Sequence, residues 1–422
     1  MKFTKMSLVA ALLVGSSAFA IDNVKVSGDA KVYYSTSDAE RIVNGNNDAS
    51  LFNTADSAAQ AAASLSLSAD LAEGISAGTK VTALSTLGLQ GQLVSNVWEQ
   101  GTNDTYTVNE LWAAATVAKT TVKVGRMPLD TPLVFTETWS IMENTFEAAV
   151  LINQDIPNTT LIGAYVGGSN GQLVRDTNQT TATPNTGAGI GSVTHTQGVN
   201  TGTTFAQFYK GAYAAAAINN SWKPLTVQAW YFDATQIAQA YWLQADLNMN
   251  GVLVGAQYTM TDLTNSGLDT SSNTAYALMA GYTMKDVFTA KVSYSATGTD
   301  SIKHGAGFNL AGTGQSKLYT EAWWNYGKIT QADTKTFHVS VEGTVAEIDL
   351  AAYYTNADQA SRKVAGIEKA NNDLSELTIT ATKSVGPLDA TVAYINATVQ
   401  NQNNTTTNNN SNTVQAYLTL NF

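Results

Sequence analysis

Few of the residue types that perform covalent or metal chemistry occur in this chain of 422 residues. It has no cysteine, which excludes a thiol nucleophile, a disulfide framework and cysteine-ligated zinc or iron–sulfur sites. The three histidines, His195, His304 and His338, are isolated from one another along the sequence, so they predict no zinc cluster. The residue types therefore give little support to a metalloenzyme or a cysteine-dependent enzyme.

Two short motifs could still take part in chemistry. Residues 167–171, GGSNG, match GxSxG, but a nucleophile elbow needs a helix after the turn, and the residues that follow are rich in Thr, Asn and Gly without helical period. We therefore interpret Ser169 as a loop residue. Residues 44–48, NGNND, are oxygen-rich and predict at most loosely bound Ca²⁺, because the spacing of an EF-hand is absent. No other cofactor or metal site is expected.

The charge balance narrows the class of partner. The chain has 22 Lys and Arg against 33 Asp and Glu, for a net charge of −11, which argues against nucleic acid as a partner. Charged residues make up only 13%, well below the share of soluble domains, whereas hydrophobic residues reach 44%. The composition is too apolar for a disordered chain and too poor in charge for an ordinary soluble enzyme.

Residues 1–20 read as a secretory signal peptide. Lys2 and Lys5 give a positive start, residues 6–14 are apolar, and AFA at 18–20 is a small-x-small cleavage site. Removing the two lysines with this segment changes the net charge from −11 to −13. No later segment approaches the length of a transmembrane helix. We therefore expect export through the Sec pathway, with residues 21–422 as the mature protein.

The mature sequence repeats with a period of two residues. Residues 24–34, 64–71 and 337–345 each alternate apolar with polar side chains, which predicts strands with one face of each kind. A soluble sandwich also alternates, but these segments are about ten residues long, the length of a membrane-crossing strand. Tight connections also alternate with long polar ones. The pattern therefore predicts a closed antiparallel transmembrane β-barrel in the outer membrane of a Gram-negative bacterium, with short periplasmic turns and long external loops.

The alternating segments number about 18, with 16 as the smaller possibility. Both ends of a single-chain bacterial barrel lie in the periplasm, so the number of strands is even. Residues 318–326, LYTEAWWNY, could form a nineteenth strand, and parity places them instead in a long external loop at 298–334 that folds towards the mouth of the barrel. A second long external loop is expected at 168–203.

The polar face of the strands keeps its charges, which suits a water-filled interior because burying unpaired ions in a dry core costs several kcal/mol each. We expect the lumen wall to include Lys25, Asp29, Lys31, Lys80, Glu110 and Lys123. Further charges predicted on this face are Asp70, Asp246, Lys291, Glu342, Asp349, Glu376 and Asp389.

Residues 128–145 form a connection of unusual composition. Two of the six prolines and several Ile, Leu, Phe, Trp and Met residues occur there, which an exposed loop would not need. We predict that it folds inward as a constriction loop, with Asp130, Glu137, Glu143 and the preceding Arg126 at the pore, opposite the lysines of the wall. Strict alternation would turn Arg126 outward unless its strand ends at Gly125. The alternative is an external loop that packs on a neighbouring subunit.

Several segments resemble a known family. GRMPLDTPL at 125–133, NTFE at 144–147, TLIGAY at 160–165 and YTEAWWNY at 319–326 resemble the outer-membrane porin D family, and the overall style is similar to the major outer-membrane porins of epsilonproteobacteria. The alternating C-terminal segment, which ends at Phe422, resembles the assembly signal of bacterial outer-membrane barrels. The resemblance implies an 18-stranded barrel with an inward loop that passes small solutes passively. The arginine ladder of its better-known members is missing here, since the chain has only Arg41, Arg126, Arg175 and Arg362.

These observations predict a passive channel for small hydrophilic solutes and ions. The negative charge favours cations, and the wide barrel suggests a homotrimer in outer-membrane lipid by analogy with other wide barrels. Two alternatives remain open: a non-conducting surface adhesin or structural barrel, and a barrel enzyme.

Overall fold

The structure is a computed structural model of the chain. It describes residues 22–39, 42–43, 46–47, 49–85, 87–89, 93–94, 96–97, 105–138, 141–170, 206–235, 238–263, 272–299, 305–311, 314–360, 362–364, 367–369, 372–401 and 408–422. The predicted signal peptide, most of the 168–203 loop, part of the 44–48 segment, His195 and His304 lie outside these residues.

Eighteen long antiparallel strands form one sheet, because the two-residue period gives each segment two distinct faces. In chain order, β1 to β18 are Asp22–Ser37, Ser57–Ala72, Ile75–Ser85, Thr105–Val117, Thr120–Met127, Phe146–Asn153, Thr159–Ser169, Ala206–Asn219, Leu225–Ala234, Ala238–Met249, Val252–Leu263, Ser272–Met284, Phe288–Thr297, Thr334–Val345, Ile348–Gln359, Asn372–Val385, Leu388–Asn401 and Asn408–Asn421.

The described loops add only small elements. One turn of 3-10 helix spans Thr54–Asp56, and the short strands are Ile42–Val43, Asn46–Asn47, Asn96–Val97, Arg362–Val364 and Ile367–Lys369. In the part of the chain that the structure describes, no helix is long and apolar enough to cross a membrane.

The sheet closes on itself. Strand β1 pairs with β2 on one side and with β18 on the other, so that Tyr33 lies opposite Gln60 on β2 and Tyr417 on β18. Each long strand pairs with its neighbours in the sequence, and the ring has no free edge. The predicted closed barrel of 18 strands is confirmed, and residues 318–326 form no strand.

The two faces of the wall are the reverse of those of a soluble protein. On β11, the outward side chains Val254 and Tyr258 are 45% and 44% exposed, whereas the inward Gln257 and Thr259 are 4% and 0% exposed. The other strands follow the same alternation, with exposed apolar side chains outside and buried side chains inside, most of them polar except where the inward loops pack. Such a wall is stable only where lipid, rather than water, covers its outer surface.

Tyrosines form a girdle on the outer surface near the end of the barrel that carries the long connections, here called the loop end. Neighbouring strands place them side by side, with ring centroids 5.3 Å apart for Tyr165–Tyr213 and 5.1 Å apart for Tyr231–Tyr241. Tyr258 and Tyr276 are also opposite each other in the register. Aromatic rings with a polar tip suit the membrane–water interface, so the girdle marks one border of the apolar band.

At the opposite end, called the turn end, the strands are joined by tight turns. The backbone there adopts positive φ angles at Gly74, Ala118, Asn250, Asp286 and Gly386. Such angles bring two antiparallel strands together within two or three residues, and Gly and Asn adopt them most readily. The alternation of short and long connections predicted from the sequence is confirmed.

Two connections at the loop end fold into the barrel. The first insert is residues 128–145, of which 128–138 and 141–145 are described, and the second insert is residues 298–333, of which 298–299, 305–311 and 314–333 are described. Their buried side chains form one apolar cluster with the wall, in which Leu133, Phe308 and Ile329 pack with Trp230 and Trp242. The loop-end half of the lumen is therefore occupied by chain, as the apolar content of the first insert requires.

The last residue completes the ring. The Gly28 amide on β1 donates to the carbonyl oxygen of Phe422 at 2.7 Å, and the Phe422 amide donates to the carbonyl oxygen of Gly28 at 2.9 Å. A Cβ atom at Gly28 would lie 2.5 Å from Cε2 of the Phe422 ring. Glycine is required at this position because the Phe422 ring and the Ser64 carbonyl oxygen, which is also 2.5 Å from the added Cβ, both lie against it.

We expect Gly28→Ala to destabilise the closed barrel by about 1–3 kcal/mol, the usual cost of forcing extra atoms into a packed site. The measurement is the urea midpoint of the refolded protein, followed by the loss of its compact band in unboiled SDS gels. Gly163→Ala is the matched control, since no atom lies within 4 Å of the added Cβ there. Equal midpoints for the two variants would contradict the role of Gly28.

Candidate functional site

The two inserts are bonded to each other across the lumen. The Leu310 amide donates to the Leu133 carbonyl oxygen at 2.7 Å. The Asn309 side chain donates from Nδ2 to the Phe135 carbonyl oxygen at 2.9 Å and accepts from the Phe135 amide at 3.3 Å. Since their apolar side chains also share one cluster, the inserts behave as a single packed body rather than as two separate loops.

The three carboxylates predicted at the constriction have different partners. Exposed Asp130 forms an ion pair with Lys317 of the second insert. Buried Glu137 accepts from Asn309 Nδ2 at 3.0 Å. Glu143 is half-buried, and its backbone carbonyl accepts from Asn109 Nδ2 at 3.4 Å on the β4 side of the lumen. Two of the three therefore contact the second insert, and their part in a filter stays a prediction.

Arg126 lies away from the lumen, contrary to the expectation that it reaches the constriction. Strand β5 continues to Met127, so the alternation turns Arg126 outward with Val124. Its Nη2 donates to Glu147 Oε1 at 3.0 Å, and its Nη1 donates to the Val108 carbonyl oxygen at 2.7 Å. The neighbouring strand thus supplies a carboxylate partner on the outer surface.

The six charges predicted on the lumen wall lie on the inward face of β1, β3, β4 and β5. Lys31 and Asp29 form an ion pair at 3.6 Å, while Lys25 is exposed near the turn end. Lys80 is opposite Glu110 in the register of β3 and β4. Within the described residues, no ion pair joins these lysines to the carboxylates of the first insert, so the predicted opposed rows of charge are not seen as direct contacts.

An aromatic ring organises part of that wall. Lys123 Nζ lies 4.0 Å from the centre of the Trp112 ring, and Trp112 Nε1 donates to Glu110 Oε2 at 3.2 Å. The ring covers Gly78, where a Cβ would lie 2.5 Å from Trp112 Cζ2. The lysines on this side of the lumen are therefore accompanied by carboxylates and an aromatic face.

The second insert contains a segment that bridges two distant parts of the wall; we call residues 319–325 the strap. At one end, the Tyr319 amide donates to Gln257 Oε1 on β11 at 3.0 Å, and the Tyr319 hydroxyl donates to Asp246 Oδ1 on β10 at 2.5 Å. At the other end, Glu376 on β16 accepts from the Trp324 and Asn325 amides at 2.9 and 2.7 Å. The strap is held at both ends by wall carboxylates.

A chamber of about 570 Å³ separates the strap from the wall. Its lining comprises Tyr319, Glu321, Ala322 and Trp323 from the strap, Gln315, and the wall residues Asp246, Met279, Lys291, Ser293, His338, Ser340, Glu342 and Tyr353. A second cavity, of about 460 Å³, extends along β12 to β16 to the turn end and shares Glu342 and Tyr353 with the chamber. The two cavities together outline a path along one side of the lumen.

This path is acidic. Five carboxyl groups line it, against one lysine and one histidine; the carboxyl groups are Asp246, Asp286, Glu321, Glu342 and Asp349, and the basic groups are Lys291 and His338. Burial raises the pKa of the Glu321 carboxyl well above its usual range, opposed by the backbone amides around it. Carboxyl groups therefore outnumber basic groups along the path.

The two-residue period predicted Asp246, Lys291, Glu342, Asp349 and Glu376 on the inward face, whereas the composition of residues 128–145 pointed to the first insert as the constriction. The contacts of the strap with the wall were not predicted, because they join residues more than fifty positions apart. One signal was visible in the sequence: the aromatic run at 319–326 stands in an otherwise polar, glycine-rich connection. Such a run in a loop needs something to pack against.

The remaining chemical motifs have structural partners. Buried Ser169 donates its hydroxyl to the Thr145 carbonyl oxygen at 3.1 Å, at the end of β7. His338 is buried in the wall with its Nδ1 2.8 Å from Thr355 Oγ1. Among the described residues, no group of three acidic, His or Cys side chains is placed to hold a metal ion. The Ca²⁺ expectation at 44–48 lies partly outside these residues and stays a prediction.

Several solved bacterial structures share the fold. The chain superposes on Pseudomonas aeruginosa OccK3 (OpdO) with a TM-score of 0.67, at 14% identity over 95% of this chain and 96% of that one. P. aeruginosa OpdQ gives 0.68, at 15% identity over 94% and 97%, and Acinetobacter baumannii OccAB3 gives 0.68, at 13% identity over 95% and 99%. At such low identity, these likenesses establish the fold alone.

Sequence comparison supplies the family. No curated protein matches the chain significantly. The family model described as Campylobacter major outer membrane protein matches residues 1–277, about two thirds of the chain. Together with the 18-stranded barrel, the lipid-facing wall and the polar lumen, this match shows that the chain belongs to the Campylobacter major outer membrane protein family and is a porin of the Gram-negative outer membrane.

Proposed function

We propose that this porin prefers cations among the small hydrophilic solutes that it passes. The observation that carries the proposal is the acidic path between the strap and β10 to β15, with five carboxyl groups against Lys291 and His338. Solutes move down their own gradient, and no cofactor, nucleic acid or enzymatic step takes part. Carboxylates in a lumen bounded by a low-dielectric wall raise the local concentration of cations.

Glu342 is the wall carboxylate best placed to act on passing ions. It lines both the chamber and the cavity at the turn end, so an ion that follows the path passes it. Lys291 is on the adjacent strand, opposite Ser340 in the register. The two residues therefore offer a matched pair of opposite charges, on neighbouring strands, with which to test the sign of the field.

The first insert has a supporting role in this proposal. Asp130 and Glu137 join it to the second insert through Lys317 and Asn309, so it narrows the lumen by holding the strap-bearing segment in place. Glu143 lies on the other side, near Asn109. The charge of these three residues then matters less for selectivity than that of Glu342.

We also propose a homotrimer in outer-membrane lipid, by analogy with other wide barrels. The outer surface of β1 to β3 supports it: small side chains at Ala30, Ala61, Ala63 and Ala83 leave a flat strip of wall on which a neighbouring barrel could pack. The girdle tyrosines listed above lie on β7 to β12, on a different part of the wall from these alanines.

Glu342→Gln should lower the K⁺/Cl⁻ permeability ratio, by up to about fivefold, because a unit charge about 4 Å from a passing ion contributes about 1 kcal/mol even in water. Lys291→Gln should raise the ratio. The measurement is the reversal potential of single channels in a planar bilayer under a KCl gradient.

Amide substitutions at Asp130, Glu137 and Glu143 serve as the comparison. If that triple variant shifts the reversal potential and Glu342→Gln does not, the filter lies at the first insert and the proposed path is wrong. Barrels that assemble normally but never conduct would instead favour the adhesin interpretation.

Glu321 gives the selectivity a pH dependence. Because burial raises its pKa, this carboxyl group stays neutral at pH values where ordinary glutamates are ionised. As the pH rises through the raised pKa, the group ionises, so the K⁺/Cl⁻ ratio should increase in a step above the ordinary glutamate range. The same ionisation weakens the packing of the strap: the contribution of the neutral group is complete below the ordinary glutamate pKa and is lost as the pH rises through the raised pKa. Reversal potentials recorded from acid to alkaline pH should show the step in the native protein and not in Glu321→Gln.

A further inference from the structure

A recess in the wall receives one end of the strap. Gly255 lies on the inward face of β11, between Asp246 on β10 and Met279 on β12 in the register. A Cβ atom at Gly255 would lie 2.5 Å from both Cζ and Oη of Tyr319. Any other residue there would need the ring to move, so the missing side chain creates the space in which the phenol ring lies.

The Tyr319 ring packs against Gly255 with its face, and its hydroxyl group is hydrogen-bonded as well. The Tyr319 hydroxyl donates to Asp246 Oδ1 at 2.5 Å, and Gln244 Nε2 donates to Asp246 Oδ2 at 2.7 Å. Both carboxylate oxygens are thus used, and the acceptor cannot turn away without losing the second bond. Burial, together with the Asp246 carboxylate, raises the pKa of Tyr319 well above its usual range, so the phenol remains a donor.

The backbone next to the ring is fixed by the same strands. Gln257 accepts from the Tyr319 amide at 3.0 Å and donates from Nε2 to the Lys317 carbonyl oxygen at 2.9 Å. Ser295 and Thr320 share a hydroxyl–hydroxyl bond of 2.6 Å. The Tyr319 end of the strap is therefore attached to β10, β11 and β13 at the edge of the chamber.

We propose that Gly255, Tyr319 and Asp246 form a latch that sets the width of the channel. With the far end held by Glu376, this latch fixes the distance between the strap and the wall opposite Glu321 and Trp323. Releasing it lets the strap move away from the wall and widens the path. The inference rests on the proposed function in one respect only, that ions follow this path.

The first test is a double-mutant cycle read by single-channel conductance. Tyr319→Ala removes the ring, and Gly255→Ala fills the recess; each should raise the conductance and add fluctuations between levels. In the Tyr319→Ala background, Gly255→Ala should have no further effect, because no ring remains to be displaced. Unchanged or lower conductance in both single variants, or additive effects in the double variant, would overturn the latch.

Two control variants make the same chemical change at positions outside the latch. Gly163→Ala adds a methyl group to a strand where no atom lies within 4 Å. Tyr258→Phe removes a hydroxyl group on the lipid side of β11, the strand that carries Gly255. Both should conduct as the native protein does, whereas Tyr319→Phe, which keeps the ring and loses the bond to Asp246, should show fluctuations of intermediate size.

A second readout does not depend on conduction. Since the chain has no cysteine, Ser340→Cys places a single thiol in the wall of the chamber beneath the strap. Its rate of labelling by a bulky maleimide should rise in the Tyr319→Ala background by about fivefold or more, the factor expected for loss of roughly one net hydrogen bond. An unchanged labelling rate would overturn the latch.

The two readouts separate the latch from the cation path. A latch-dependent labelling rate in a protein that shows no cation preference would overturn the proposed selectivity and leave the latch standing. A normal cation preference, with a labelling rate and a conductance that Tyr319→Ala does not change, would overturn the latch and leave the proposed selectivity standing.

Discussion

The whole molecule depends on the pairing of backbone hydrogen bonds in a medium that offers none. A strand in hydrocarbon has no water to bond its N–H and C=O groups, and each unpaired group costs several kcal/mol. A ring of strands meets this requirement because it has no edge, and here β1 meets both β2 and β18. The closed ring in turn creates an interior, and the residues of the path and of the strap are on its inner face or on an insert within it.

The lumen is not an empty cylinder, and its two halves differ. Towards the loop end, two inserts and the wall share an apolar cluster that includes Leu133, Phe308 and Trp242. Towards the turn end, charged and hydroxyl side chains line open space. The strap lies between these two regions and is attached to the wall through Asp246 and Glu376, so the polar path runs along one side of the barrel. The same side of the wall therefore carries both the charges of the path and the contacts that hold the strap.

The sequence was most informative where the physics is local and periodic. Alternation along each strand predicted all 18 strands, and parity correctly kept residues 318–326 out of the sheet. Alternation also shows why Arg126 was misplaced: its pairing with Glu147 requires the strand to continue one residue beyond Gly125, as it does. The strap was out of reach, because Tyr319 meets Gly255 and Trp324 meets Glu376 through contacts that no local period encodes. The direction of a loop side chain is set by tertiary packing and not by its spacing in the sequence.

The seam between β1 and β18 bears on how the barrel is assembled. The two strands pair side by side from Asp29–Asn421 to Ser37–Thr413, although they stand at opposite ends of the strand order. Since β18 is the last of the eighteen strands to be made, the edge of β1 that it covers stays unpaired until β18 arrives. An unpaired edge is a template for strands of other chains, so the newly exported polypeptide has to be kept apart from its neighbours until the ring closes.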